Sequence, residues 1–356
     1  MNPIRVIIID DSAFMRKMLQ DMLASDDRIE VIATARNGAD GVQKVEQLKP
    51  DVITLDVEMP VMDGITALEH IMKLIPTPTI MLSSVTGEGA SKTVQAITRG
   101  AIDFIQKPSG SISLDIMKLK DDIIEKVVTA SQTKPHKGMH SEATNLKATT
   151  KVIYQSINNN EKKIVAIGTS TGGPGALQRV ITDLPNDFTT PIVIVQHMPQ
   201  GFTKSLADRL NTLTDIHVKE ANHGEIVREK TAYIAPGDYH MKVRQTGTSL
   251  AIELTKDPLR HGHRPSVDTL FESLADIRNI TKIAVILTGM GSDGAIGIKA
   301  LKEKDDQVIV ITESADSAIV YGMPKAAVKT NYVNEMVHLH QIGDYITRIG
   351  NKSGGM

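Results

Sequence analysis

Two long stretches of this chain alternate short apolar runs with amphipathic helical patterns, and nothing else in the sequence narrows its fold as much. In the first stretch the runs are "IRVIII", "IEVIATA", "DVITLD", "TIMLSS" and "AIDFIQ". They are rich in β-branched residues and too short for buried helices. Between them "MRKMLQDMLAS", "ADGVQKVEQL", "ITALEHIMKLI" and "ASKTVQAITRG" carry apolar residues at helical spacing, and "DIMKLKDDIIEKVVTAS" follows the fifth run. Five βα units in succession predict an α/β domain: an open, doubly wound, five-stranded parallel sheet with helices on both faces.

The pattern then dissolves. "SQTKPHKGMHSEATNLKATTK" and "SINNNEKK" are polar and hold no sustained period, which reads as a flexible linker. Alternation restarts with "KIVAIG", "GALQRVITDL", "PIVIVQH" and "FTKSLADRLNTL", and it closes with "VDTLFESLADI", "KIAVILTG", "AIGIKALKEK", "QVIVIT" and "AAVKT". In between, "TAYIAP", "HMKVR" and "SLAIEL" read as an antiparallel β insertion. The expected organisation is a first domain over 1–125, a linker over 126–161, and a second α/β domain with a parallel sheet over 162–350. A chain of 356 residues suits two domains that each bury their own core.

Composition excludes several classes. The net charge of −2 gives no overall attraction to nucleic acid or anionic lipid. With no cysteine, a disulfide framework and thiolate metal sites are ruled out. The opening run "MNPIRVIIIDDSAF" ends in two aspartates, unlike a signal peptide. No apolar run approaches the roughly 20 residues needed to span a bilayer, so direct membrane insertion is not expected and a cytoplasmic location is.

In an open parallel sheet, ligands gather outside the carboxyl ends of the strands. There the first run delivers Asp10 and Asp11, the third Asp56 and the fourth Ser83, while Lys107 and Pro108 follow the fifth. A single strand-end acid often only faces water or caps the next helix. Three carboxylates on one rim repel one another unless a hard cation sits among them, and Mg2+, which favours oxygen ligands, meets that need. Asp56 would then be placed to attack a phosphoryl group, with the metal and the Lys107 ammonium neutralising charge on the transferring oxygens. This set of residues at successive strand ends resembles the receiver domain of two-component response regulators over residues 3 to 125. The resemblance implies a flavodoxin-like fold, Asp56 as phosphoacceptor, and Mg2+ among Asp10, Asp11 and Asp56. It also puts Ser83 and Phe104 at the hydroxyl and aromatic switch positions and makes Lys107 the phosphate-sensing lysine.

The second domain poses its question at "GTSTGG", residues 168–173. Gly168, Ser170 and Gly173 stand where a dinucleotide fingerprint has its three glycines. That fingerprint needs a bare middle residue and an acid about 20 residues on. Ser170 obstructs the first requirement, and His197 stands where the second would be met. The same loop reads as Gly-x-Ser-x-Gly, a strand-to-helix elbow that raises a serine above a sheet. Alone the string is weak, because glycine-flanked serines are common in loops. However, "PIVIVQHMP" carries His197 and "KIAVILTGMGSDG" carries Asp293, so three predicted parallel strands bring a hydroxyl, a base and a carboxylate to one edge. Their chain order is not that of the α/β-hydrolases, the chymotrypsin type or the subtilisin type.

The motifs "GTSTGGPGAL", "QHMPQGFTKSLADRL", "YIAPGDYH", "HRPSVDTLF" and "LTGMGSDGA", with the order of the two domains, resemble the chemotaxis protein-glutamate methylesterase (CheB) family. The linker has no recognisable match. The resemblance implies a hydrolase domain in which Ser170 attacks a γ-glutamyl methyl ester on the cytoplasmic domain of a methylated chemoreceptor, releasing methanol. His197 acts as base and then acid, and Asp293 holds His197 in the productive tautomer. Met290 is assigned to the oxyanion site, and Thr171 becomes an auxiliary to the histidine. The resemblance also implies phosphorylation of Asp56 by a chemotaxis histidine kinase, deamidation of receptor glutamines, an ester reaction without a cofactor, and recruitment to receptor clusters. Before phosphorylation the receiver is expected to limit access to Ser170. His240, His261, His263 and Arg264 lie on loops that resemble family positions near the cleft, and a metal held by His261 and His263 lacks a clear third ligand. The rivals are a non-catalytic response regulator whose second domain only binds a partner, and a dinucleotide-dependent enzyme.

Overall fold

Val6, Ile7, Ile8 and Ile9 are all fully buried, as a strand covered by helices on both faces requires. In the structure, a computed structural model, they belong to β1 (Ile4–Ile9). Residues 2–84, 87–107, 114–133 and 162–350 are described. Pro108 and the linker segment 134–161 lie outside the described residues. The chain forms two compact units, one up to Ser141 and one from Glu142 on.

After β1 the first unit continues as α1 (Ala13–Leu23), β2 (Ile29–Ala35), α2 (Gly38–Leu48), β3 (Val52–Asp56) and α3 (Gly64–Leu74). It closes with β4 (Thr79–Ser83), α4 (Gly87–Thr98), β5 (Asp103–Gln106) and α5 (Leu114–Ser131). Side-chain oxygens of Ser12, Asn37 and Asp63 accept backbone N–H groups in the first turns of α1, α2 and α3, which sets where those helices begin. The strands are parallel in the order β2-β1-β3-β4-β5, a doubly wound sheet. Because α5 runs to Ser131, residues 126–131 are the end of this unit's last helix, not the start of a linker.

The second unit begins with β6 (Lys162–Thr169), α6 (Gly173–Thr182), β7 (Ile192–Gln196), α7 (Phe202–Asn211), β8 (His217–Glu220) and β9 (Thr231–Ile234). The hairpin of β10 (His240–Thr246) and β11 (Ser249–Thr255) follows, then α8 (Val267–Ala275), β12 (Ile280–Ile286), α9 (Ala295–Lys304) and β13 (Ile309–Glu313). It ends with α10 (Met323–Val328), β14 (Glu335–Val337) and α11 (Leu339–Gly350). A seven-stranded parallel sheet runs β14-β13-β12-β6-β7-β9-β8. The expected antiparallel insertion is only the β10–β11 pair. The "TAYIAP" run belongs instead to the main sheet, as β9, parallel to both β7 and β8.

β6 is central, and the chain leaves it towards β7 on one side and returns through β12 on the other. The register pairs Gly168 with Ile286 of β12 and with Val195 of β7. Three strands therefore end at one level, and the loops after them open at the topological switch point where such sheets bind ligands. Among the described residues, no helix is long and apolar enough to cross a membrane.

Candidate active site and acidic pocket

In the first unit, the carboxyl ends of β1, β3 and β5 bring Asp10, Asp56 and Lys107 together. Asp10 and Asp56 are buried, whereas Asp11 is exposed. The Lys107 ammonium lies 2.8 Å from Asp10 Oδ2 and 2.8 Å from Asp56 Oδ2. The backbone N–H of Ser12 donates to Asp10 Oδ1 at 2.8 Å. One oxygen from each of Asp10, Asp11 and Asp56 lies within 4.8 Å of the other two. Burial pushes the Asp56 carboxyl up to about 6, and the charge of Asp10 adds to this, against the hydrogen bond and charge of Lys107. Burial works against the charged form of Lys107, but the two carboxylates outweigh it and raise the ammonium above its ordinary value. A donor set of three hard carboxylate oxygens, two of them held by one lysine, fits a Mg2+ ion. Ser83 is fully buried at the end of β4. Its hydroxyl accepts from Thr93 Oγ1 at 2.6 Å and donates to Gly89 O at 3.2 Å, so it faces α4. Phe104 is buried in β5, where the Lys126 ammonium donates to its carbonyl at 2.6 Å and sits 5.5 Å from the ring centre.

In the second unit, Ser170 follows β6 directly and is half-buried. Its N–H donates to Thr288 O at 3.1 Å, and its carbonyl accepts from Gly173 N at 2.8 Å and from Gln196 Nε2 at 2.9 Å. Two amides of the loop are thus already satisfied by protein carbonyls, which disfavours a phosphate cradle. Gly172 turns the chain into α6 at φ +77°, a left-handed conformation that glycine adopts without strain.

His197 follows β7, and its Nε2 lies 2.8 Å from Asp293 Oδ2. The imidazole is 5% exposed and the carboxylate 2%. The other ring nitrogen, Nδ1, is buried and has no hydrogen-bond partner. Asp293 also accepts from Val267 N at 2.7 Å, Asp268 N at 2.9 Å and Ser266 Oγ at 2.9 Å. Burial alone would raise Asp293, but the His197 hydrogen bond and these backbone donors hold it well below the usual carboxylate range. The arrangement therefore has Nε2 donating and Nδ1 ready to accept a proton. No hydrogen bond joins the Ser170 hydroxyl to His197 among the described residues.

The loop after β12 carries Met290. Gly289 O accepts from Gly322 N at 3.1 Å and from Met323 N at 2.8 Å, both at the start of α10. The Gly289–Met290 peptide is trans, so its N–H points to the side opposite that anchored carbonyl. Gly289 itself packs against the serine: a β-carbon there would fall 2.9 Å from Ser170 Cβ. Thr171 is buried beside this loop, and its carbonyl accepts from Thr288 Oγ1 at 2.9 Å. Thr288 thus meets both Ser170 and Thr171, while its own N–H donates to Glu313 Oε2 at 2.8 Å. Burial pushes the Glu313 carboxyl up to about 7.

The remaining candidates separate. His240 is buried, bonded to Pro258 O at 3.0 Å and lowered by burial, which marks it as part of the fold. Arg264 anchors its own loop, donating to Asp257 O at 2.9 Å and to Asp238. His261 approaches Asp268 at 3.6 Å, and His263 stacks on His197, so the two turn to different partners. The sequence reading missed Thr288, Glu313 and Ser266. For Glu313 a usable signal existed, an acid at a strand end on the same rim.

Comparison with known proteins matches residues 165–346 to the CheB methylesterase family model and residues 6–117 to the response regulator receiver domain model. A protein-glutamate methylesterase/protein-glutamine glutaminase of Oceanobacillus iheyensis is 56% identical, the match covering 98% of this chain and 99% of the relative. Its Bacillus subtilis counterpart is 48% identical over 97% of this chain and 98% of its own length. The crystal structure of the Thermotoga maritima CheB methylesterase catalytic domain aligns with a TM-score of 0.51 at 41% identity, covering 53% of this chain and 98% of that one.

Proposed function

Since the chain belongs to the CheB methylesterase family and carries a response regulator receiver domain, we propose phosphorylation-activated hydrolysis of glutamate γ-methyl esters on methylated chemoreceptors, releasing methanol. The same site would deamidate receptor glutamines, because the same acyl-enzyme forms with ammonia leaving. The observation that carries this reading is the 2.8 Å link between His197 Nε2 and Asp293 Oδ2, which leaves Nδ1 as the proton acceptor.

The mechanism follows from these groups. Ser170 Oγ attacks the ester carbonyl as His197 Nδ1 takes its proton, the two atoms coming within about 2.6–3.2 Å in the working complex. Asp293 stabilises the imidazolium and keeps Nε2 protonated. The oxyanion meets the Met290 N–H, a donor worth roughly 3 kcal/mol if preorganised. His197 returns the proton to methanol, and a water activated by the same nitrogen releases glutamate. Thr171 supports the histidine from the adjoining turn.

In the receiver, Asp56 accepts a phosphoryl group from a chemotaxis histidine kinase. Asp10, Asp11 and Asp56 would hold Mg2+, which when bound offsets charge on the transferring oxygens. Lys107 contacts the incoming phosphoryl group, and Ser83 and Phe104 change their positions in response. The protein works in the cytoplasm, at receptor clusters. The test is Ser170→Ala in the full chain, with the fold checked by circular dichroism. Methanol release from methylated receptor should vanish, and retained turnover rejects the triad.

A further inference from the structure

The first turns of α8 and α9 exchange carboxylates. Asp293 lies just before α9, yet its side chain closes the start of α8 through the N–H groups of Val267 and Asp268. Asp268 lies in the first turn of α8, yet its Oδ1 closes the start of α9, accepting from Gly294 N at 2.8 Å and Gly297 N at 2.7 Å. Each helix start thus receives an acid from the other, α8 having Ser266 as its own cap besides. Asp268 is fully buried, which a cap exposed at a helix end would not need to be.

This exchange fixes Asp293 twice through one residue. The Asp268 N–H holds Asp293 Oδ1, while the Asp268 carboxylate pins the backbone N–H of Gly294, the very next residue. The loop carrying Asp293 has left-handed glycines on both sides, Gly291 at φ +84° and Gly294 at φ +98°, and without such a clamp its conformation would be permissive. We propose that Asp268 is a positioning residue for ester hydrolysis, holding the Asp293 carboxylate at the geometry in which it orients His197. The inference rests on the triad reading given above.

The charges around Asp268 agree with a fixed, internal role. Its Oδ2 is buried without a hydrogen bond and faces Arg260 Nε at 3.8 Å and His261 Nε2 at 3.6 Å. Arg260 is itself engaged by Glu272. The Asp293 charge also acts on Asp268. Burial and the Asp293 charge raise Asp268, against the N–H groups of Gly297 and Gly294 and the charge of Arg260. Two adjacent carboxylates are thereby driven apart, Asp293 down and Asp268 up, the pattern expected where one of a pair works on a histidine.

Asp268→Ala removes the acceptor from both glycine amides, whereas Asp268→Asn keeps an accepting oxygen. In the full chain, with a small acyl phosphate as phosphodonor and methylated receptor as substrate, Asp268→Ala should lose about 100-fold in kcat at unchanged KM. Asp268→Asn should restore most of it. The His197 Nε2 proton should leave its hydrogen-bonded position in the proton NMR spectrum of the alanine variant and keep it in the asparagine variant. If the alanine variant does not fold, Asp268→Ser replaces it with the same expected loss, its hydroxyl being polar but too short to span both amides. Full kcat in the alanine or serine variant overturns the proposal, as does an asparagine variant equally impaired. Ser170→Ala run in parallel separates the layers. Full turnover there removes the triad itself, while loss there with none at Asp268 removes only the positioning role.

Discussion

His263 lies face to face with His197, the ring centres 3.9 Å apart and the planes 11° from parallel. The stack holds the imidazole in the plane in which its Nε2 meets Asp293. Replacing His263 with alanine should lower kcat roughly three- to tenfold, the range an aromatic pair contributes, with KM little changed. Phenylalanine, which can stack but not titrate, should recover most of the loss. Steady-state methanol release from the three proteins checks this.

Gly289 leaves no room for a side chain beside the serine. Gly289→Ala would bring a methyl group to 2.9 Å from Ser170 Cβ and 3.0 Å from Ser170 N, and against Met323 Sδ. The loop must shift, and a displacement of about 1 Å at the nucleophile costs on the order of 100-fold in kcat. Labelling by a phosphonate probe should slow in proportion, while circular dichroism stays unchanged.

Glu313 gives the second unit a stability that depends on pH. Its carboxyl is raised from 4.5 to about 7, chiefly by burial. The folded state therefore binds a proton that the unfolded chain has released. This contribution is complete below pH 4.5 and is lost as pH rises through 7. Glu313→Gln should be more stable than wild type at pH 8, by up to about 3 kcal/mol. The gap should close by pH 4.5. Urea midpoints for the second unit's transition at several pH values measure it.

Asp56 should be the only route by which a phosphodonor raises esterase activity. Asp56→Asn should show the same rate with and without a small acyl phosphate. Chelation of divalent metal should block phosphoryl incorporation into wild type, and Mg2+ should restore it. Radiolabel incorporation and methanol release, read side by side, check both statements.

The positions that were legible share one property: they lie at or just after the ends of strands. Asp56, His197 and the loops bearing Ser170 and Asp293 follow apolar runs whose parallel arrangement could be read from the alternation itself. What was not legible depends on backbone partners far away in the chain. Thr288 matters through its carbonyl and amide, groups that every residue has, so no side chain announces it. Asp268 closes a helix other than its own, and local capping rules look only at the next turn. "TAYIAP" does not announce its neighbours, because a short strand's own pattern does not say whether its partner runs parallel or antiparallel. β7, which lies beside it, is more than thirty residues earlier. α11 was as legible as the others, because Ile342, Tyr345, Ile346 and Ile349 recur at helical spacing and are buried.

The bond from Thr169 Oγ1 to Thr288 O spans 119 residues of sequence, and the Ser170 amide ends on the same carbonyl. During synthesis the serine and histidine emerge first, at roughly 5–20 residues per second, so on the order of ten seconds pass before their partners exist. A nascent chain that has not yet delivered β12 holds both reactive side chains and neither the anchor for the serine loop nor the acid for the histidine. The receiver, complete within its own contiguous stretch, can fold during that interval. The hydrolase site is therefore the last part of the chain whose partners all exist, and the receiver has the time to fold before it.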